Sequence, residues 1–274
     1  MTNSSSAGAG AAAISIRGVS MSYNGRRVLD QVDLDVFRGE ILVLLGGSGS
    51  GKTTLLKQVL GLAKPETGSI AINGVDITCC SPSELGAVRR RIGVAFQAGA
   101  LFNSMSVEDN VALPLRELTR LADSTIRLMV WMKLMAVGLS DAGSLLPPEL
   151  SGGMRKRAAV ARAMALDPEI LILDEPSAGL DPIVSAGLDE LILFLNRSFG
   201  VTILVVTHEM ESAFRIADRV AMLYQGGLIA VEKKEQFAGN PHARIRQFLD
   251  RQPDAMPRVA AEEYIASYLK GSKT

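Results

Sequence analysis

Residues Gly46-Gly47-Ser48-Gly49-Ser50-Gly51-Lys52-Thr53 place a lysine and a hydroxyl at the end of a glycine-rich run. The chemistry this suits is phosphate binding. Glycines let backbone N–H groups converge on phosphate oxygens without side-chain obstruction, and a helix starting at the loop adds a favourable dipole. In a loop of this pattern Lys52 reaches the β and γ phosphates and Thr53 ligates magnesium. The spacing arises by chance in a chain of this length with a probability on the order of 1%. Its context narrows that further: an apolar run, Ile41 to Leu45, precedes the loop, and a helical run from Thr54 to Leu62 follows it.

Three other clusters suit the same chemistry. Asp174-Glu175 ends the apolar run Ile170 to Leu173. Alone, such a pair is most often a solvated turn. Beside a phosphate loop, Asp174 is suited to the magnesium shell and Glu175 to polarising a water for in-line attack. His208 follows Val201 to Val206 and is placed to meet the γ phosphate or the attacking water, whereas His242, beside Pro241, is read as structural. Ser151-Gly152-Gly153 opens a helix through Arg157, Ala161 and Ala165. A serine cap and glycines make this a second anion-binding helix start. One nucleotide cannot easily use both starts in one chain. A head-to-tail dimer resolves this, with each γ phosphate between one subunit's Lys52 loop and the other's Ser151 to Gly153.

These residues need a scaffold that brings strand ends together. Ile41 to Leu45, Ile92 to Phe96, Ile170 to Leu173 and Val201 to Val206 are unbroken or nearly unbroken apolar runs. Such runs suit strands covered on both faces, as in parallel sheets. They are separated by helix-length segments, so the fold class is α/β, a P-loop NTPase core with a mostly parallel sheet. Ile14 to Ser20 and Val32 to Val36 alternate around Asn24-Gly25 and predict an N-terminal antiparallel β subdomain. Residues 107–150, rich in Leu, Met and interleaved charge, predict an inserted α-helical subdomain. Val220 to Leu223 and Leu228 to Glu232 predict a hairpin. The expected organisation is a flexible tail over 1–13, an ATPase domain over 14–249 and a C-terminal extension over 250–274. In that extension Val259, Tyr264, Ile265, Tyr268 and Leu269 form one apolar helix face.

Composition removes several alternatives. The 274 residues are 47% hydrophobic, which argues against disorder, and carry 29 basic and 29 acidic side chains. That balance argues against nucleic acid as a partner, because bulk phosphate neutralisation needs clustered Lys and Arg. No apolar run reaches membrane-spanning length; Leu113 to Leu139 is interrupted by Arg116, Glu117, Arg120, Asp123, Arg127 and Lys133. Cys79 and Cys80 are too few for a disulfide framework, and MTNSSSAGAGAAA lacks the charged and apolar regions of a signal peptide. A cytoplasmic setting is expected.

In sequence order the chain carries the phosphate loop, Gln97, LSGGM, ILILDEP, SAGLD and His208. Six elements in this order resemble the nucleotide-binding subunit of an ABC transporter from about Ile14 to Leu249. The resemblance implies ATP and Mg2+ as ligands, Tyr23 stacked on adenine, and Gln97 sensing magnesium and linking to a membrane permease. It also implies that Ser177 to Asp181 cross a dimer interface, so that Asp181 joins Gly46 to Thr54 and Ser151 to Gly153 among the nucleotide contacts. Met154 departs from the family's usual glutamine. LSGGMRKR, with Phe96 to Met105 and Glu175 to Ile183, resembles the ATPases of Mla-type phospholipid transporters, which maintain outer-membrane lipid asymmetry. That implies a permease, an MCE-domain protein and a small STAS-domain protein as partners, at the cytoplasmic face of the inner membrane. Uptake of a small polar solute is the alternative. Arg155, Lys156 and Arg157 read as a solvated helix face or part of the permease contact, Arg157 favouring function because the family commonly has arginine there.

Overall fold

The computed structural model describes residues 11–253 and Tyr268. Strands β1 (Ala12–Tyr23) and β2 (Arg26–Phe37) form an antiparallel hairpin. Its two-residue turn, Asn24-Gly25, has φ of 49° and 77°, the positive values that match the twist of the flanking strands. Helix α1 (Lys52–Val59) follows strand β3 (Ile41–Leu45). Strand β4 (Thr67–Ile72) then pairs with β1, and β5 (Val75–Asp76) pairs with β4, giving the order β2-β1-β4-β5. The expected antiparallel subdomain is therefore larger than its two legible strands. Its first strand also begins before the expected boundary at 14, because Ala13 is buried within β1.

The second sheet has the order β10-β9-β3-β8-β7-β6. Its members are β6 (Ile92–Ala95), β7 (Ile170–Asp174), β8 (Thr202–Thr207), β9 (Arg219–Tyr224) and β10 (Gly227–Lys233), with β3 between β9 and β8. All pairings are parallel except β9 with β10. This order puts the strand before the glycine loop beside the strand before His208. Next come the strand ending at Asp174 and the strand leading to Gln97. Parallel pairing sends all four carboxyl ends to one edge, where ligands bind in open α/β sheets.

Every residue of β3 is buried, as its apolar run requires. Alternate positions serve different faces: Leu42, Leu44, Ile170, Ile172, Leu204 and Val206 share one core with Ile14, Ile16 and Ile70 of the first sheet and Leu55 and Leu56 of α1. Each such side chain contributes about 1.5–3 kcal/mol through burial. The phosphate loop is thus held between two sheets that share a core.

Residues 107–150 are helical, as expected, with α3 (Val107–Leu118), α4 (Asp123–Ala136) and short 3-10 turns at Ser140–Ala142 and Pro147–Glu149. Before them stands α2 (Pro82–Arg89), which sequence periodicity did not reveal. Its signal is local: Ser81 and Glu84 form a reciprocal capping box, with Ser81 N donating to Glu84 Oε2 at 2.8 Å. Helices α5 (Gly152–Ala163), α6 (Pro182–Phe199), α7 (Met210–Ile216), α8 (Lys234–Gly239) and α9 (Ala243–Leu249) complete the described elements. No helix among the described residues is long and apolar enough to cross a membrane. The chain divides into compact units over 1–237 and 238–274, so the expected boundary at 249/250 falls within the second. The predicted apolar face from Val259 to Leu269 lies outside the described residues, apart from Tyr268, which is exposed.

Candidate functional site

The loop after β3 turns through Gly51, whose φ is 110°. A Cβ there would lie 2.8 Å from both Val28 O and Leu29 Cδ2, so conformation and space both require glycine. Gly51 is also the N-cap of α1 and supplies no side-chain cap, leaving the first-turn N–H groups to the loop and its ligand. Lys52 Nζ donates to the carbonyls of Gly46 at 2.6 Å and Gly47 at 3.0 Å. Burial lowers the Lys52 pKa, opposed by the nearby Glu175 and Asp174 carboxylates.

A pocket of about 320 Å³ opens over this loop. Residues 48–54 line it together with Val28, Gln97, Asp174 and Glu175. The loop, Gln97 and the Asp174-Glu175 pair therefore meet at one place, as expected from the strand order, with Val28 of β2 as a fourth segment. Burial raises the Asp174 pKa, as does the adjacent Glu175 charge, while Lys52 and Lys156 lower it. Among the described residues, no three His, Cys, Asp or Glu side chains cluster to hold a metal. The pocket's hydroxyl, amide and carboxylate from Thr53, Gln97 and Asp174 suit magnesium, which keeps waters and takes phosphate oxygens rather than a protein-only cage.

Glu175 is the most constrained side chain of the site. Its φ is 47°, an uncommon value for a residue with a Cβ. Five contacts hold it there, the longest being Ala178 N donating to the Glu175 carbonyl at 3.3 Å. Its N–H donates to Val206 O at 2.8 Å, and its carbonyl accepts from Lys156 Nζ at 2.8 Å. Oε2 accepts from Thr207 Oγ1 at 3.1 Å, and Oε1 lies 2.9 Å from His208 Nδ1. The Glu175 side chain is 12% exposed and that of His208 58%, so the histidine forms the outer edge of this pair. His208 is joined to the site through Glu175 and is not part of the pocket lining.

Other expected contacts lie apart from this pocket. Ser151 caps α5, its Oγ accepting from Met154 N at 3.2 Å. Neither Ser151 nor Gly152 and Gly153 lines the pocket. Asp181 is the N-cap of α6, where Oδ1 accepts from Ile183 N and Val184 N, both at 3.0 Å. Tyr23, at the end of β1, is exposed. His242 caps α9 by accepting from Arg244 N at 3.2 Å, a structural contact as expected.

Arg155, Lys156 and Arg157 of α5 each reach a backbone carbonyl: Arg155 Nη1 donates to Leu150 O at 2.5 Å, and the other two reach further along the chain. Lys156 Nζ donates to Gln97 O at 2.7 Å as well as to Glu175 O. Arg157 donates to Val137 O at 3.0 Å and Gly187 O at 3.1 Å, joining the helical insertion to α6. Both charges end on backbone carbonyls rather than in water. Sequence periodicity carried no signal for either contact, since the accepting carbonyls belong to segments up to 59 positions away.

The ABC transporter family model matches residues 29–178, more than half of the chain. The chain belongs to the ABC transporter family. Its place there is that of the ATPase subunit. The "Intermembrane phospholipid transport system ATP-binding protein MlaF" of Escherichia coli strain K12 is 44% identical over 261 residues, covering 94% of this chain and 97% of that protein. The "Probable ribonucleotide transport ATP-binding protein mkl" of Mycobacterium leprae is 45% identical, covering 87% of this chain and 69% of the relative. Among solved structures, a dimeric ATP-binding cassette in a post-hydrolysis state with ADP and Pi superposes with a TM-score of 0.75. It is 30% identical and covers 81% of this chain and 98% of that one. The fold of this ABC ATPase is therefore the expected one, and the relatives' names differ in what they transport.

Proposed function

We propose that this ABC ATPase drives phospholipid transport, hydrolysing magnesium-bound ATP between two head-to-tail copies of the chain. The observation that carries the lipid reading is coverage: similarity to the phospholipid-transport relative extends over 97% of that protein, against 69% of the ribonucleotide-transport relative. Ribonucleotide transport remains the second reading, favoured by that relative's 45% identity against 44%, and is a form of the small-polar-solute alternative.

In the proposed reaction Gly46 to Thr54 bind the phosphates, and Tyr23 stacks on adenine. Thr53, Asp174 and Gln97 hold magnesium, which when bound supplies charge stabilisation on the phosphoryl oxygens. Glu175 accepts a proton from the attacking water, its carboxylate oriented by Thr207 and His208. His208 also meets the γ phosphate. The second copy contributes Ser151, Gly152 and Gly153 to the γ phosphate, and its Ser177 to Asp181 segment crosses the interface. Support for two copies comes from the chain itself: its second anion-directed helix start lies outside its own nucleotide pocket. Through Gln97 the site is linked to an integral membrane permease, and an MCE-domain protein and a small STAS-domain protein complete the assembly. This puts the chain at the cytoplasmic face of the inner membrane, without nucleic acid.

Glu175→Gln is expected to lower ATP turnover roughly 100-fold while ATP-bound dimers accumulate on size-exclusion chromatography. Rapid steady-state hydrolysis by that variant removes Glu175 from its role. Recovery from membranes with a permease and an MCE-domain protein supports the lipid reading, whereas recovery with a periplasmic solute-binding protein supports the second.

A further inference from the structure

Helix α5 starts at the Ser151 cap, yet its most consequential cation points back into its own subunit. Lys156 Nζ bridges two backbone carbonyls 78 positions apart, Gln97 O at 2.7 Å and Glu175 O at 2.8 Å. Both accepting residues line the nucleotide pocket, and Lys156 does not. The lysine that joins them is half-buried.

Each carbonyl belongs to backbone that needs restraint. Glu175 sits at φ 47°, a strained conformation for a residue with a Cβ that persists where surroundings fix it. The Gln97 loop passes through Gly99 at φ 74° and Ala100 at φ 50°. A second α5 cation, Arg162, donates to the carbonyls of those same residues at 3.3 and 2.8 Å. Helix α5 therefore braces the Gln97 loop at two points and the Glu175 turn at one. Burial lowers the Lys156 pKa, opposed by Glu175, Asp174 and Glu209.

We propose that Lys156 is a positioning residue for ATP hydrolysis, pinning the Gln97 and Glu175 backbones to the helix whose N-terminus faces the partner copy's nucleotide. The role rests on the assignment of Glu175 as the proton acceptor. It ties the nucleotide pocket of one subunit to the helix that completes the other's. A shift of the α5 start on dimer closure then moves Gln97 and Glu175 together, and hydrolysis becomes sensitive to how the partner copy sits. Lysine suits this work because its ammonium has three donors and can satisfy two carbonyls at once.

The test compares wild type, Glu175→Gln, Lys156→Met and Lys156→Arg in the assembly containing the full chain, reading ATP turnover at saturation and equilibrium binding of a fluorescent ATP analogue. Methionine keeps the aliphatic volume and removes the donors. The expected result is a fall in kcat of at least ten-fold for Lys156→Met, nucleotide affinity within two-fold of wild type, and recovery of most of the lost kcat in Lys156→Arg. Wild-type kcat in Lys156→Met beside an inactive Glu175→Gln overturns the Lys156 role and leaves the Glu175 assignment standing; an active Glu175→Gln overturns both. Parallel losses of kcat and affinity that arginine does not restore reduce Lys156 to a folding contact and also overturn the proposal. Should Lys156→Met fail to fold, Lys156→Gln, which keeps an amide donor, is read by the same split between kcat and affinity.

Discussion

Two helix starts in this chain are suited to anions, and they are built in opposite ways. At α1 the cap is Gly51, which offers no side chain, and Lys52 stands over the loop. At α5 the cap is Ser151, whose hydroxyl already accepts from Met154 N, and the following cations turn away to carbonyls inside the chain. The first has its charge, its carboxylates and its pocket in one subunit. The second has donors and a dipole, and its Ser151 to Gly153 lie outside the lining of that pocket. A lone helix terminus binds anions weakly when water competes for it. On the proposed two-copy reading, the difference teaches that α1 would bind phosphate within one subunit whereas α5 would supply half of a site that a second copy completes.

The largest expected effect removes the feature that most separates the two starts. Lys52→Ala is expected to cut ATP turnover by on the order of 100-fold or more, with weaker nucleotide binding, because a charge aimed at the transferring phosphoryl group is lost. Steady-state phosphate release and equilibrium binding measure it; near-normal turnover would mean that the two starts are closer to equivalent than their construction implies.

At the other start, a Gly153 Cβ would lie 2.4 Å from Val184 Cγ1, on a side chain with little rotamer freedom. Gly153→Ala is therefore expected to displace the start of α5 and lower turnover roughly ten-fold, with ATP binding to the single chain unchanged. A parallel loss of binding would show that the α5 start contributes within its own subunit. Smaller still is Asp181→Ala, which removes the one oxygen, Oδ1, that accepts from two backbone N–H donors at the α6 N-cap. It is expected to cost about 1 kcal/mol, or about 2–4 °C in Tm for a chain of this size, read by thermal unfolding.

The smallest effect concerns the ground behind the site. Asp189 is buried on α6 and accepts from Ser212 on α7, next to the loop carrying His208. Burial raises its pKa above the ordinary aspartate value. A raised folded-state pKa means its contribution is fully present below the unfolded pKa and is lost as pH rises through the folded one. Asp189→Asn does not ionise, so its stability relative to wild type is expected to increase across that window. Denaturant midpoints measured at several pH values check the sign, and a difference that shrinks with rising pH would place the Asp189 charge in a favourable setting.

Much of the site was legible because it is local. The glycine spacing, the acidic pair after Leu173 and the Ser151 cap are each contiguous, and the apolar runs before them marked the buried strands. Strands β4 and β5 were missed because Ile70 and Ile72 alternate over too short a stretch, and α2 because its signal is the Ser81–Glu84 cap rather than periodicity. The carbonyl contacts of Lys156 were not legible for a different reason. A cation on a helix looks solvated until the carbonyls it meets are placed beside it.

By itself the sequence determined which residues have the chemistry to hold and hydrolyse a nucleotide, and that parallel strands present them, since spacing and apolar periodicity are properties of neighbours along the chain. Only the tertiary structure decided that β3, β8, β7 and β6 lie side by side in that order, that Glu175 is held at a positive φ by five partners, and that Lys156 ties it to Gln97. Those facts depend on which distant segments share a sheet edge. Strand pairing and burial set that, and neither is encoded in any single stretch.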